Sequence, residues 1–166
     1  MADERVQYDV DGDLVTPVIL ELLNEYPALG DDSIKFATLD ENRGKAMFPI
    51  NGAAIVSKVK DILGTTEMTC AYPIIVMYRA GNLTAQRRQA VKEWLDSLGR
   101  WLEMQTIYLD VGGVSTAYTL SDYPSLGNGR KIISIQRTAP SYLDGVNENL
   151  TEDWAISLEV RYMSIF

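Results

Sequence analysis

Residues 68–103 constrain the fold more than any other part of the chain. The first half of this segment alternates with a period of two, which is the pattern of a strand. After Ala80-Gly81-Asn82 the period changes to that of an amphipathic helix. The apolar face of the strand and the apolar stripe of the helix comprise Met68, Cys70, Tyr72, Ile74, Val76 and Tyr78, then Val91, Trp94, Leu95, Leu98, Trp101 and Leu102. The segment therefore predicts a long strand and a helix that share one core.

The polar residues of this helix have a simple interpretation. Asn82 or Thr84 is expected to cap its first turn. The side opposite the apolar stripe is expected to face solvent, with i,i+4 ion pairs between Lys92 and Asp96 and between Asp96 and Arg100. Trp94 and Trp101 are expected to pack in the core and not to form a ligand cage.

Two further segments are regular enough to assign. Residues 154–162 alternate cleanly and predict a central or core-facing strand. Residues 14–23 have helical spacing and predict a short first helix, with Pro17 in its first turn and Pro27 preventing continuation past Tyr26.

The remaining strands are shorter. Residues 34–39 and 46–50, joined by a turn-rich stretch, predict a hairpin. Residues 55–62 fit either a helix or a strand, and the long strand that follows favours a second hairpin. Residues 106–129 are irregular around a possible short strand at 116–120, and residues 131–137 alternate again. The chain therefore predicts an α+β fold in which helices flank a mostly antiparallel sheet.

Length and charge limit the possible functions. The 166 residues fit one domain, assigned to residues 14–166, preceded by an acidic arm at residues 1–13 that is too polar to pack alone. The formal net charge of -8 disfavours attraction to nucleic acid or to anionic membranes. Neither a signal-peptide pattern nor a membrane-spanning stretch is found, and Cys70 is expected to be a buried thiol. We expect a soluble protein made in a reducing compartment.

The chain contains no histidine, which removes the common catalytic triads, histidine zinc sites and imidazole proton transfer. A calcium loop starting at Asp9 is rejected, because Leu14 replaces the required glycine and Leu20 the required glutamate. We expect no enzyme activity, cofactor or metal. A small hydrolase built on carboxylates and tyrosines, and a monomeric acidic module that binds a basic partner, are alternatives of other classes.

Five stretches together carry a resemblance to a known family. They resemble the minor capsid proteins of long-tailed phages and prophages of Gram-positive bacteria, which belong with tail-terminator and head-tail neck proteins. The stretches are Glu21-Leu-Leu-Asn-Glu-Tyr-Pro-Ala28, Ala46-Met-Phe-Pro-Ile50, Tyr72-Pro73 with Tyr78-Arg79, Ala90-Val-Lys-Glu-Trp-Leu-Asp-Ser-Leu98 and Asp153-Trp-Ala-Ile-Ser-Leu-Glu-Val-Arg-Tyr162. The resemblance covers most of the chain from residue 14 onward.

The resemblance implies a tail-terminator-like fold assembled as a ring, usually a hexamer, in the virion at the head-tail junction. Its implied partners are further copies of itself, the tail-tube protein and a head-completion or neck protein. The implied function is to cap the completed tail tube and dock the head, with assembly in the bacterial cytoplasm. A head-tail connector or stopper is the alternative. No catalytic residue is carried over from the family.

Two hypotheses follow for such a ring. DNA must pass without binding specifically, so acidic side chains should outnumber basic ones along the lumen. Residues 55–79 are the candidate contact between subunits, because Lys58, Lys60 and Asp61 alternate with apolar residues and a neighbour can continue the sheet edge. The alternative is that these three are merely exposed charges on a twisted hairpin.

Overall fold

The architecture is mixed α+β, as the alternating and helical periods predicted, and its sheet is curled. The computed structural model describes residues 12–127 and 129–165, so the predicted arm lies outside the described residues except for its last two. The elements are α1 Gly12–Leu23, β1 Ile34–Phe36, β2 Gly44–Pro49, β3 Ala54–Lys60, β4 Thr66–Ala80, α2 Ala85–Leu102, β5 Ile107–Val111, β6 Val114–Tyr118, β7 Ser125–Gly127, β8 Arg130–Arg137, β9 Tyr142–Val146 and β10 Glu152–Ile165.

The two longest strands form the centre of the sheet. β4 and β10 pair antiparallel from Glu67 opposite Ile165 to Ala80 opposite Glu152. The sheet order is β1-β2-β4-β10-β8-β7, with β3 also paired to β4 and β9 also paired to β10. Alternate residues of β4 are buried from Thr66 to Val76. The predicted long strand, the β3–β4 hairpin and the central last strand are therefore confirmed.

Helix α2 covers one face of this sheet. The Thr84 hydroxyl caps the helix by accepting a hydrogen bond from the Arg87 backbone N–H, as predicted. Most of the apolar stripe is buried, with Leu95 and Leu98 at 0% exposure. Trp94 is half-buried, and its indole N–H donates to a backbone carbonyl in the turn that follows α1. The stripe thus joins the helix layer to the sheet in one core.

The opposite side of α2 is less solvated than expected. Lys92 and Asp96 form the predicted ion pair at 3.0 Å, but both also bond to Ser141, which arrives just before β9. The predicted pair between Asp96 and Arg100 is wrong, because Arg100 reaches along the helix to Glu93. Tertiary contacts therefore cover part of the polar face of α2, which was expected to face solvent.

The first predicted hairpin is wrong, because β1 and β2 run parallel. Ala37 has a φ of 53°, in the left-handed region, directly after β1. This residue turns the chain away from the strand direction, and residues 37–43 then carry it back so that β2 starts at the same end as β1. The composition of residues 40–44 predicted a turn here but not the direction of the next strand.

The stretch expected to be irregular contains an antiparallel hairpin, β5–β6. Gly112 and Gly113 form its two-residue turn with φ values of 59° and 83°, a backbone shape that glycine adopts without strain.

The helix α1 begins earlier than expected, so Pro17 lies inside the helix and not in its first turn. Among the described residues, neither helix combines the length and apolar character needed to cross a bilayer.

Core packing gives a direct test of this fold. Leu95→Ala should destabilise the protein by about 2–5 kcal/mol, because a fully buried side chain leaves a cavity. Leu63→Ala is the matched control, since that side chain is 87% exposed and should change stability by less than about 0.5 kcal/mol. Urea unfolding measures both, and equal losses would contradict the assigned core.

Candidate assembly surface

Strand β3 is the least covered regular element of the described chain. Every one of its seven residues is exposed. Within the described residues it pairs with β4 alone, so its other edge has no strand beside it. Ile55, Val56 and Val59 are between 49% and 59% exposed. We call β3 with its following turn, residues 54–65, the assembly edge.

The side chains of β3 divide between the two faces of the sheet. Lys58 lies opposite Met68 and Lys60 opposite Thr66, so both lysines are on the face that carries the core. Val59 lies opposite Glu67 on the other face. The register shifts between Ile55 and Ser57, which places a bulge at Val56. The edge therefore has a basic face and an apolar residue on the reverse face, in a protein whose net charge is -8.

The turn after β3 holds two apolar residues in water. The Asp61 carboxylate accepts hydrogen bonds from the backbone N–H groups of Leu63 and Thr65, both at 2.9 Å. Gly64 closes the turn with a φ of 88°. Ile62 is 102% exposed and Leu63 87%. A turn ordered by its own hydrogen bonds thus presents an unburied apolar tip.

The three residues predicted from sequence have different places. Lys58 and Lys60 lie together on one face of the edge, but Asp61 belongs to the turn and its carboxylate is engaged there. The exposed Ile62 and Leu63 were not predicted. Turn composition does not explain an Ile-Leu pair directly before a glycine and between two strands. This pair was the sequence signal from which the exposed tip could have been predicted.

A second projecting hairpin is formed by β5 and β6. Tyr108 is 70% exposed, Val111 51% and Val114 65%. The base of the hairpin anchors it, because Ile107 is buried in the core. This hairpin adds a second exposed apolar surface, separate in sequence from the assembly edge.

Among the described residues the least exposed carboxylates belong to Glu152 and Asp153, which are consecutive at the start of β10 and are both paired. Arg79 donates two hydrogen bonds to Asp153, at 2.7 and 2.8 Å, and Arg88 donates to Glu152 at 2.8–3.0 Å. The arginine hydrogen bonds hold the pKa of each carboxyl below its usual range. These groups stay ionised at neutral pH and tie β4 and α2 to β10, whereas a general acid needs a raised pKa.

A polar cleft of about 890 Å³ lies at the end of β4. Two of its three carboxylates are also engaged, since Asp32 pairs with Lys45 and Asp40 pairs with Lys35. The bond to Lys45 lowers the pKa of Asp32. Lys45 further lies 4.3 Å from the centre of the Tyr78 ring, a cation–π contact. Within the described ranges no three acidic or cysteine side chains converge to hold a metal ion.

Comparisons with known proteins assign no family. No protein-family profile matches the sequence, and no curated protein is significantly similar to it. The surfaces are therefore interpreted from their own geometry.

The paired carboxylates predict how stability depends on pH. Because the folded-state pKa of Asp153 is lowered, its ion pair stabilises the protein above the unfolded pKa of about 4, and this contribution is lost as the pH falls through the folded value. In Asp153→Asn the free energy of unfolding should therefore fall less steeply between about pH 5 and pH 2. Urea unfolding at each pH measures this. Asp110→Asn, on the exposed hairpin, should leave the curve unchanged, and equal effects would contradict the assignment.

The order of the tip depends on one side chain. Asp61→Ala removes the acceptor for the N–H groups of Leu63 and Thr65, so their amide hydrogens should exchange faster with solvent, by about tenfold for a lost hydrogen bond. Hydrogen exchange read by NMR measures this. Glu67→Ala, on the same hairpin, is the control. Unchanged protection in Asp61→Ala would show that the backbone alone orders the tip.

Proposed function

We propose that this chain is a structural protein of the phage virion, a tail terminator whose copies form a ring that caps the tail tube and docks the head. The observation that carries the proposal is the assembly edge, an unpaired strand exposed at all seven residues with an apolar tip beyond it. The resemblance of the sequence to tail-terminator and neck proteins supports this kind of assembly.

Physical chemistry favours a protein partner for this edge. An edge strand presents unpaired backbone N–H and C=O groups to any strand that approaches, and exposed apolar side chains add to the tendency to associate. Natural sheets usually avoid this by shortening the edge or covering it. A long edge that keeps Ile55, Val59 and Ile62 in water is best explained by a partner that pairs with it during assembly.

A ring also requires subunits that hold a fixed angle. A head-to-tail contact between identical subunits closes only when the rotation per subunit is right. The β4–β10 pair runs the length of the sheet, and the arginine pairs of Glu152 and Asp153 fasten its far end to α2 and β4. A subunit braced in this way changes little in shape when its edge is bound.

The overall charge is compatible with a channel for DNA. A chain of net charge -8 repels the phosphate backbone at long range, so DNA is expected to slide through a lumen lined mainly by Asp and Glu. The basic assembly edge then faces a protein neighbour and not DNA. In this proposal the partners are further copies in a ring, which is usually a hexamer in the family that the sequence resembles, together with the tail-tube protein and the neck protein.

The head-tail connector or stopper is the alternative function on the same surface. A connector or stopper forms the same kind of ring but binds a different neighbouring protein. The phenotype distinguishes the two, because loss of a terminator gives overlong tails, whereas loss of a connector or stopper gives tails of normal length that do not join heads.

The proposal is tested with the apolar tip. Ile62→Asp with Leu63→Asp should abolish capping, because the tip is buried against a partner only in the assembly. Particles that carry the variant should have overlong tails in negative-stain images, and purified tubes should no longer be decorated at their ends. Leu150→Asp, at a residue 76% exposed on a loop away from the edge, is the matched control and should cap normally. Normal tail length in the absence of the chain would overturn the proposal.

A further inference from the structure

We infer that the apolar tip of one copy, Ile62 and Leu63, docks in a groove on the next copy of the same chain. The groove lies beside β7 and β8, across the sheet from β3. This contact deepens the proposed function, on which it rests, because it names the partner that receives the tip of the assembly edge when copies form a ring.

The docking groove is a cavity of about 880 Å³. Its lining includes Met104, Tyr123, Lys131, Ile133, Met163 and Ile165. Met104, Ile133 and Ile165 are between 36% and 48% exposed. A cavity of this size buries most of a small ligand, so it has room for two aliphatic side chains. The chain therefore exposes an apolar recess as well as the apolar tip.

The tip and the docking groove lie at the same end of the sheet and on opposite sides of it. Ser57 of β3 is opposite Thr69 of β4, and Thr69 is opposite Met163 of β10. Met163 is in turn opposite Lys131 of β8, which is opposite Ser125 of β7. One row of residues thus crosses from β3 to β7 without an offset along the strands, over about 19 Å at the usual strand spacing. The tip follows β3 on one side of this row, and Met163 and Lys131 line the groove on the other.

This placement suits a head-to-tail contact between copies. A projection and a recess at separate places on one subunit form a heterologous contact when the projection of each copy enters the recess of the next. Because the two surfaces are on opposite sides of the sheet, an inserted tip leaves the groove of its own subunit open to another neighbour. Because they are at the same level, successive copies need little rise along the strands, which favours closure into a ring over a helical filament.

The charges beside the tip and in the groove are opposite. On the face of the sheet away from α2, Glu67 is exposed beside the tip and Lys131 is exposed in the groove. The turn adds the negative charge of Asp61, and the described groove lining adds Arg130 against Asp122. A tip-to-tip contact would bring like charges together, whereas a tip in the groove brings Glu67 of one copy towards Lys131 of the next.

Disulfide trapping in the full chain tests the contact. Leu63→Cys with Ile133→Cys should give a ladder of covalently joined copies on a non-reducing gel, in the free chain at high concentration and on purified tail tubes. Bonding within one chain is excluded by distance, because β4 and β8 are two strand spacings apart, about 10 Å, whereas a disulfide needs Cα atoms within about 7 Å. The native Cys70 is 0% exposed and should not react.

Two controls accompany this variant. Leu63→Cys with Leu150→Cys is matched to it, since Leu150 is an exposed loop residue outside the groove, and its chains should join at least tenfold more slowly. Leu63→Cys alone reports contact between two tips, and it should give dimers no faster than the Leu150 control.

Charge reversal tests the orientation of the contact independently. Glu67→Lys in the Leu63–Ile133 cysteine chain should slow the crosslink about threefold, the size expected for an exposed ion pair. Adding Lys131→Glu to the same chain should restore the rate. Both residues are exposed, so neither change should disturb the fold, and urea unfolding checks this. An unchanged rate in Glu67→Lys, or a loss that Lys131→Glu does not rescue, would contradict the head-to-tail orientation.

Two results overturn the docking of the tip. One is a Leu63–Ile133 crosslink no faster than the Leu150 control in both the free and the tube-bound chain. The other is rapid dimer formation by Leu63→Cys alone. If either occurs while the unaltered chain still caps tails, the tip binds another surface and the proposed function stands. If the ladder forms but tails have normal length in the absence of the chain, the contact stands and the terminator function is rejected.

Discussion

The antiparallel pairing of β4 with β10 is the constraint on which the rest of the structure depends. It runs from Glu67 opposite Ile165 to Ala80 opposite Glu152 without a register shift. Its inner face supplies Ile74, Val76, Leu158 and Val160, all at 0% exposure, to the core beneath the helices. A one-residue slip would turn these side chains to the outer face, so the core and the register enforce each other.

The same pair connects the stable part of the molecule to its exposed part. At one end, the Arg79–Asp153 pair fastens β4 to β10 and the Arg88–Glu152 pair fastens β10 to α2. At the other end β4 continues into the hairpin with β3, whose residues are all exposed. Because β4 is continuous, the position of the assembly edge is fixed by the core. This is the arrangement expected of a subunit that must present an edge at a constant angle.

The long elements were predictable from the sequence, whereas the pairing of the short ones was not. Sustained alternation fixed β4 and β10, and the apolar stripe with Thr84 fixed α2, since burial on one face imposes a strict period. The parallel β1–β2 pair was missed because β1, with three residues, carries too little periodicity and the turn at Ala37 depends on a φ of 53°. The β5–β6 hairpin was missed although Gly112-Gly113 is a known hairpin signal.

The candidate surface was predicted in part for a similar reason. Alternation of charged and apolar residues identified the hairpin and its lysines, but solvent exposure is a tertiary property. The Ile62-Leu63 pair before a glycine was a sequence signal of the tip, but its degree of exposure and the use of the Asp61 carboxylate by its own turn were not predictable from local pattern.

Hydrogen exchange of the full chain, free and bound to purified tail tubes, tests the central claim most directly. The account predicts that binding slows exchange chiefly in residues 54–65, while the amides of β4 and β10 remain protected in both states. Protection that appears elsewhere and leaves residues 54–65 exchanging as in the free chain would contradict it.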